Sequence, residues 1–301
     1  MNTAAKLGTF SAALALTFGG AYAIGQSTDA MSDHDRGGHP TAEMGGHDMG
    51  DTGMPGHGST ASPGGATLPG LAVTADGYTL VPQSTSLLQG SATPFRFTVT
   101  GPDGKALTSY APSHTKDLHL IVVRRDLAGF QHVHPTRGAN GTWSTPLNLS
   151  AAGTYRVFAD FVPGGRTAPV VLGTDISVAG DYRPQPLPAP AMTARAGEYD
   201  VTLSGTPSAS TESQLTFTVT RGGKPVTTLQ PYLGAFGHLV ALRAGDLAYL
   251  HTHPGEDAHA GSTGGPAISF MTEFPSHGSY RLFLDFQVDG TVHTAAFTVT
   301  V

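Results

Sequence analysis

Cysteine is absent from this 301-residue chain. That absence excludes a disulfide framework, an iron–sulfur or zinc–thiolate site, and the thiolate on which a blue copper centre depends. It also removes the lipobox of a bacterial lipoprotein. Charge is scarce as well: only 13% of residues are Asp, Glu, Lys or Arg, with a net charge of −6. The chain therefore carries no basic footprint for nucleic acid and has little electrostatic attraction to an anionic membrane. No Ser/His/Asp order, phosphate-cradling glycine loop or paired-carboxylate arrangement stands out, so no catalysis is expected. What the chain has in excess is glycine (40) and proline (22), which favours many turns over long helices.

The texture of the sequence changes along its length. Residues 1–26 hold one Lys6, an apolar run from about Leu7 to Ile24, and Ala21-Tyr22-Ala23 in the pattern of a cleavage signal. They read as an export signal or a retained membrane anchor, and either one places the rest of the chain outside the cytoplasm, with membrane contact only through this segment. Residues 27–69 have almost no bulky apolar side chain and are expected to be disordered, because they cannot offset their backbone entropy by burial. Within them His34, His39, His47 and His57 interleave with Met31, Met44, Met49 and Met54. Imidazole and thioether together suit copper in both oxidation states, so this stretch reads as an ion-capture segment.

From about residue 70 short alternating apolar runs set off by Gly, Pro and Asn predict an all-β fold, and the pattern occurs twice. FRFTVTGPDGKAL (95–107) matches LTFTVTRGGKPV (215–226), and AAGTYRVFADF (151–161) matches SHGSYRLFLDF (276–286). Each copy is about 110 residues, the size of a seven-stranded immunoglobulin-like sandwich. The Tyr155 and Tyr280 contexts are similar to the tyrosine corner of such folds. The expected organisation is a first sandwich over 70–180, a Pro-rich linker over 181–192 and a second sandwich over 193–301, each with its own core.

Histidines repeat with the strands. GFQHVHP (129–135) and YLHTHP (249–254) place His132 and His134 119 positions before His251 and His253, and His119 precedes His238 by the same interval. Alternate residues of a strand share a face, and a hairpin pairing His119 with His132 or His134 brings all three imidazoles together. Three such nitrogens suit zinc or copper, so the ligand sets predicted are His119, His132 and His134 in one sandwich and His238, His251 and His253 in the other. Asp160 and Asp285 occupy matching places on a later strand, as further ligands or as partners that orient a histidine. His114, His259, His277 and His293 have no counterpart in the other copy and read as accessory. The second copy also carries a six-residue insertion just after His253, in PGEDAHAGSTGGP (254–266).

Known histidine chemistries fail at particular residues of this chain. The metallo-isopeptidase pattern requires Ser and Asp at fixed intervals after HxHP, but the chain has Gly261 and Gly264, or Thr142 and Thr145, at those places. GFQHVHP is similar to the copper-binding stretch of copper–zinc superoxide dismutase, but Gln131 departs from it and the bridging-histidine cluster is missing. A copper monooxygenase needs a mature N-terminal histidine, whereas cleavage after Ala23 exposes Ile24. The repeated GKPV, HLV, HTHP and GSYRLFLDF blocks resemble the small exported bacterial immunoglobulin-like domains of the CopC and YtkA kind. The resemblance implies a β-sandwich in the cell envelope associated with copper handling and with partner proteins of that system. The Met-rich copper loop of CopC is not found inside either copy. The sequence thus leads to an exported, non-enzymatic metal-binding protein, copper ahead of zinc, with one three-histidine site per sandwich. The alternative is an envelope adhesion or scaffold module whose histidines are structural or respond to pH.

Overall fold

The computed structural model describes residues 68–250 and 252–301. The export signal and nearly all of the His/Met-rich segment lie outside the described residues, as does His251. Among the described residues every regular element is a strand. They form two tandem immunoglobulin-like β-sandwiches, as the repeat predicted.

The first sandwich packs a sheet of strands Thr74–Ala75, Tyr78–Pro82, Gly90–Thr100, Thr142–Leu149 and Thr136–Arg137 against a second sheet. That second sheet runs Ser86–Leu87, Val170–Val178, Gly153–Pro163, His119–Arg124 and Gln131–Val133. Ser86–Leu87 pairs in parallel with the last strand of the repeat, while the other pairings are antiparallel. The second sandwich repeats the plan with Thr193–Ala196, Tyr199–Ser204, Glu212–Arg221, Ala267–Glu273 and His253–Pro254 in one sheet. Tyr249–Leu250, Gly237–Arg243, Ser279–Val288 and Thr291–Thr300 make the other. Both tyrosine corners are present: the Tyr155 hydroxyl donates to the Ala151 carbonyl at 2.8 Å, and the Tyr280 hydroxyl to the Ser276 carbonyl at 2.8 Å.

Burial periodicity shows which sheet faces what. Along Gly90–Thr100, Phe95, Phe97 and Val99 are buried while Arg96 is exposed, as expected of a sheet with one face in water. All six residues of His119–Arg124 are buried. Leu120 and Val122 enter the core of the first sandwich, whereas Ile121 and Val123 join a separate cluster with Val240, Leu242 and Phe283 of the second. The second repeat does the same, with Leu239 and Ala241 in its own core and Val240 and Leu242 in the shared cluster. A strand covered on both faces loses the alternation and becomes a continuous apolar run, which is why HLIVV and HLVAL contain no polar residue after the histidine.

Among the described residues there are therefore three apolar clusters, two of them predicted and a third formed where the repeats pack face to face. Phe130 of the first repeat stacks on Phe283 of the second, with ring centroids 3.9 Å apart and planes at 5°. Phe158 and Tyr249 make the counterpart contact at 5.5 Å. The Pro-rich linker contains no strand but is anchored to this seam: the Gln185 amide donates to Asp126 at 2.8 Å, and Leu187 packs on the shared cluster. Gly70 and Leu71 also approach it, their carbonyls accepting from the Arg156 guanidinium at 2.6 and 2.8 Å.

Candidate metal centre

The hairpin of the first repeat pairs Leu120 with Val133 and Ile121 with His132, a register that continues to His119 opposite His134. Val133 points into the first core, so by the two-residue period of a strand its neighbours His132 and His134 point to the other side, toward the seam. His119 lies on that side too, sharing a strand face with Ile121 and Val123. The three imidazoles meet: His119 Nδ1 is 3.0 Å from His132 Nε2 and 3.2 Å from His134 Nε2. They form a group whose ligand atoms all lie within 4.8 Å of one another.

The outer partners dictate the tautomers. His119 Nε2 lies 3.0 Å from the Ser113 carbonyl, which only accepts, so that nitrogen carries the proton and Nδ1 keeps a lone pair. His132 Nδ1 lies 2.9 Å from Asp285 Oδ2, so it donates to the carboxylate and Nε2 keeps a lone pair. Two lone pairs thus face each other at 3.0 Å whichever tautomer His134 takes. Either a metal ion between them or a second proton on His132, whose Nδ1–H already faces the Asp285 carboxylate, relieves that arrangement. Burial, reinforced by the neighbouring His132, lowers the His119 pKa to about 4, and burial with His132 and His119 lowers that of His134 to about 3. Tetrahedral coordination at 2.0–2.1 Å places ligand nitrogens about 3.3 Å apart, close to the two distances found.

Asp285 departs from its expected place. It is paired across strands with His238 of its own repeat, but its carboxylate reaches over the seam to His132 of the other repeat. No local pattern pointed to this, because the relative placement of the sandwiches is a tertiary property. Asp285 Oδ1 also accepts from the Thr294 hydroxyl at 2.5 Å. Asp160 is likewise cross-strand from His119, and it accepts from the Tyr249 hydroxyl of the second repeat at 3.1 Å.

In the second repeat His238 mirrors His119. It is 7% exposed and its Nε2 donates to the Tyr232 carbonyl at 2.8 Å, six residues back, as His119 does to Ser113. Burial lowers its pKa to about 3, with His132, His114 and His119 adding to the effect. His251 and the side chain of His253 are not among the described features, so the second set is seen only through His238 and Asp285. The backbone of His253 pairs with Met271 in the strand His253–Pro254.

His114, read from sequence as accessory, belongs to the cluster: its ring lies 5.0 Å from that of His238 and 6.1 Å from that of His119. It sits in a turn with φ +47°, outside any alternating pattern, and only its position five residues before His119 pointed to it. His293 packs against Tyr199 and Phe286 instead. A cavity of about 40 Å³ lies between the repeats, lined by Ser113, His114, His119, His132, Asp160 and His238 among others. On the other side His134 borders an open cleft of about 400 Å³ with Lys116, Arg137 and Trp143, which gives an ion a route from solvent. The larger hollow of about 740 Å³ beside Leu88 and Tyr182 is remote from these groups, and its polar side chains Arg125 and Asp175 already pair with each other at 2.6 Å.

Fold and site together define a two-sandwich protein with a histidine cluster at the seam between its repeats. The chain belongs to the family described as "Domain of unknown function (DUF8832)", which matches residues 73–177 and again 194–301. No curated protein matches it. Among solved structures it is similar to a DUF4426 family protein from Pseudomonas aeruginosa PAO1, with 11% identity and a TM-score of 0.27 over 37% of this chain and 96% of that one. The Escherichia coli adhesin FdeC is 17% identical with a TM-score of 0.24, over 76% of this chain and 65% of the adhesin. Invasin, a bacterial integrin-binding protein, is 14% identical with a TM-score of 0.23, over 76% of this chain and 40% of invasin.

Proposed function

We propose that the protein is an exported, non-enzymatic metal-binding protein of the cell envelope that holds an ion at His119, His132 and His134, with copper ahead of zinc. The facing lone pairs of His119 Nδ1 and His132 Nε2, 3.0 Å apart with both tautomers set by outer partners, carry this reading. Imidazole-only coordination suits Cu(II) and Zn(II) alike. The preference for copper comes from the His/Met-rich residues 27–69, whose thioethers favour Cu(I) and which would pass ions to the folded site. Export is proposed from the N-terminal segment, and a protein that delivers or receives the ion is the expected partner.

The test is a titration of the full-length chain with Cu(I), Cu(II) and Zn(II) under chelator competition. A second chain, with the histidines and methionines of residues 27–69 replaced by serine, isolates the folded site, and a third adds His132→Ala. A tight equivalent kept by the second chain and lost by the third supports the reading; weak binding by the second chain refutes it.

One observation favours a different class of function. His119, His132 and His238 each already have a protein acceptor, in a seam whose larger part is apolar. On that second reading the histidines lock together the repeats of an envelope adhesion or scaffold module, the second chain binds no ion, and His132→Ala loosens the seam.

A further inference from the structure

We propose that Asp285 of the second repeat is a positioning residue for the metal site of the first, so that ion binding and closure of the seam between the repeats are a single coupled equilibrium. The inference rests on the metal reading above and concerns how that site is completed. His132 is carried by the outermost strand of its sheet, Gln131–Val133, which has few neighbours of its own. Two contacts fix it from the far side. Phe130 stacks on Phe283, and two residues further along each chain His132 donates to Asp285, so one face of the second repeat grips the ligand strand at consecutive same-side positions. The His132 and Asp285 side chains are 5% and 3% exposed, which removes water as a substitute acceptor. Asp285 is itself held by Thr294, its cross-strand neighbour.

A carboxylate on the distal nitrogen fixes the ring orientation, selects the tautomer whose Nε2 faces the ion, and raises the basicity of that nitrogen. Loss of such an outer partner typically weakens metal binding 10- to 100-fold. When the seam opens, His132 loses this partner although all three ligands remain in one sandwich. Linkage then requires the converse: the ion must favour the closed seam by the same factor. The first sandwich thus contains the ligands and the second supplies their orientation, unlike the two self-contained sites that the repeated sequence implies.

The experiment uses full-length chains, all with residues 27–69 stripped of His and Met, and Zn(II) and Cu(II) as probes under chelator competition. Asp285→Asn keeps the shape and removes the charge; Thr294→Val loosens the carboxylate more gently and serves if the first variant folds poorly; Phe283→Leu weakens the seam without touching a ligand. The expected result is a 10- to 100-fold loss of affinity in Asp285→Asn and a smaller loss in the other two. In the metal-free chains, long-range ¹H–¹⁵N spectra should show His132 as the Nδ1–H tautomer where Asp285 is intact and a larger share of the Nε2–H tautomer in Asp285→Asn. Hydrogen exchange of the seam strands 119–124 and 237–243 should slow on metal addition, and less so in Asp285→Asn. Tight binding that is unchanged within twofold in Asp285→Asn overturns the inference and leaves the metal site standing. Failure of the parent chain to bind either ion removes the metal reading and this inference with it.

Discussion

At the scale of single residues, the candidate site depends on which proton each imidazole keeps. The histidines themselves were readable because the chain repeats them at a fixed interval, and a strand period of two put His132 and His134 on one side. Their tautomers were not, because the Ser113 carbonyl and Asp285 are brought in by a turn and by the other repeat. The same burial gives a pH signature. An exposed histidine titrates near 6.5, whereas His119 and His238 are lowered to about 4 and about 3. Above pH 6.5 neither state binds a proton and stability is flat. Below it the unfolded chain takes up protons that the folded chain refuses, so stability falls as pH drops from 6.5 toward 4, by up to about 1.4 kcal/mol per pH unit for each histidine. Urea unfolding between pH 7.5 and 4.5, in the presence of chelator, should show this slope. A His238→Gln variant should show a shallower one.

At the scale of elements, the hairpin and both tyrosine corners followed from local pattern and the structure has them, while the register, which the sequence left between two pairings of His119, is set by Leu120 opposite Val133. Tyr280→Phe should cost about 1 kcal/mol by removing the bond to Ser276 while leaving the ring in its core, as measured by denaturant midpoint. The close approach of residues near 70 to the strand Val170–Val178 had no sequence signal. A Cβ on Gly173 would lie 1.9 Å from the Gly70 carbonyl oxygen, and that oxygen is already fixed by Arg156. Gly173→Ala is therefore expected to destabilise by about 1–3 kcal/mol, the usual range for overpacking against groups that must move. Its effect should appear as a lower thermal midpoint and faster exchange of the backbone amide at position 173, which donates to the Ala72 carbonyl.

At the scale of the whole molecule, the two sandwiches share a seam and are not beads on a linker. Phe283→Ala removes a side chain that is 3% exposed and stacked on Phe130 across that seam, and a loss of about 3–5 kcal/mol is expected from such a deletion. Because the second core lies on the opposite face of the same strand, the loss should fall on docking first, seen as increased proteolysis of residues 181–192 before global unfolding. The sequence by itself determined the fold class, the two repeats, the strand faces and the convergence of His119, His132 and His134, because each of these follows from periodicity within a short span of chain. The continuous apolar runs after His119 and His238 fit strands covered on both faces, although the expectation was of two sandwiches each with its own core. Only the tertiary structure decided what covers the second face, and with that the bond from His132 to Asp285, the place of Asp160 beside Tyr249 and the entry of His114 into the cluster. Those contacts join groups as far as 153 positions apart, and their geometry is set by the packing of two apolar faces that no local pattern orients.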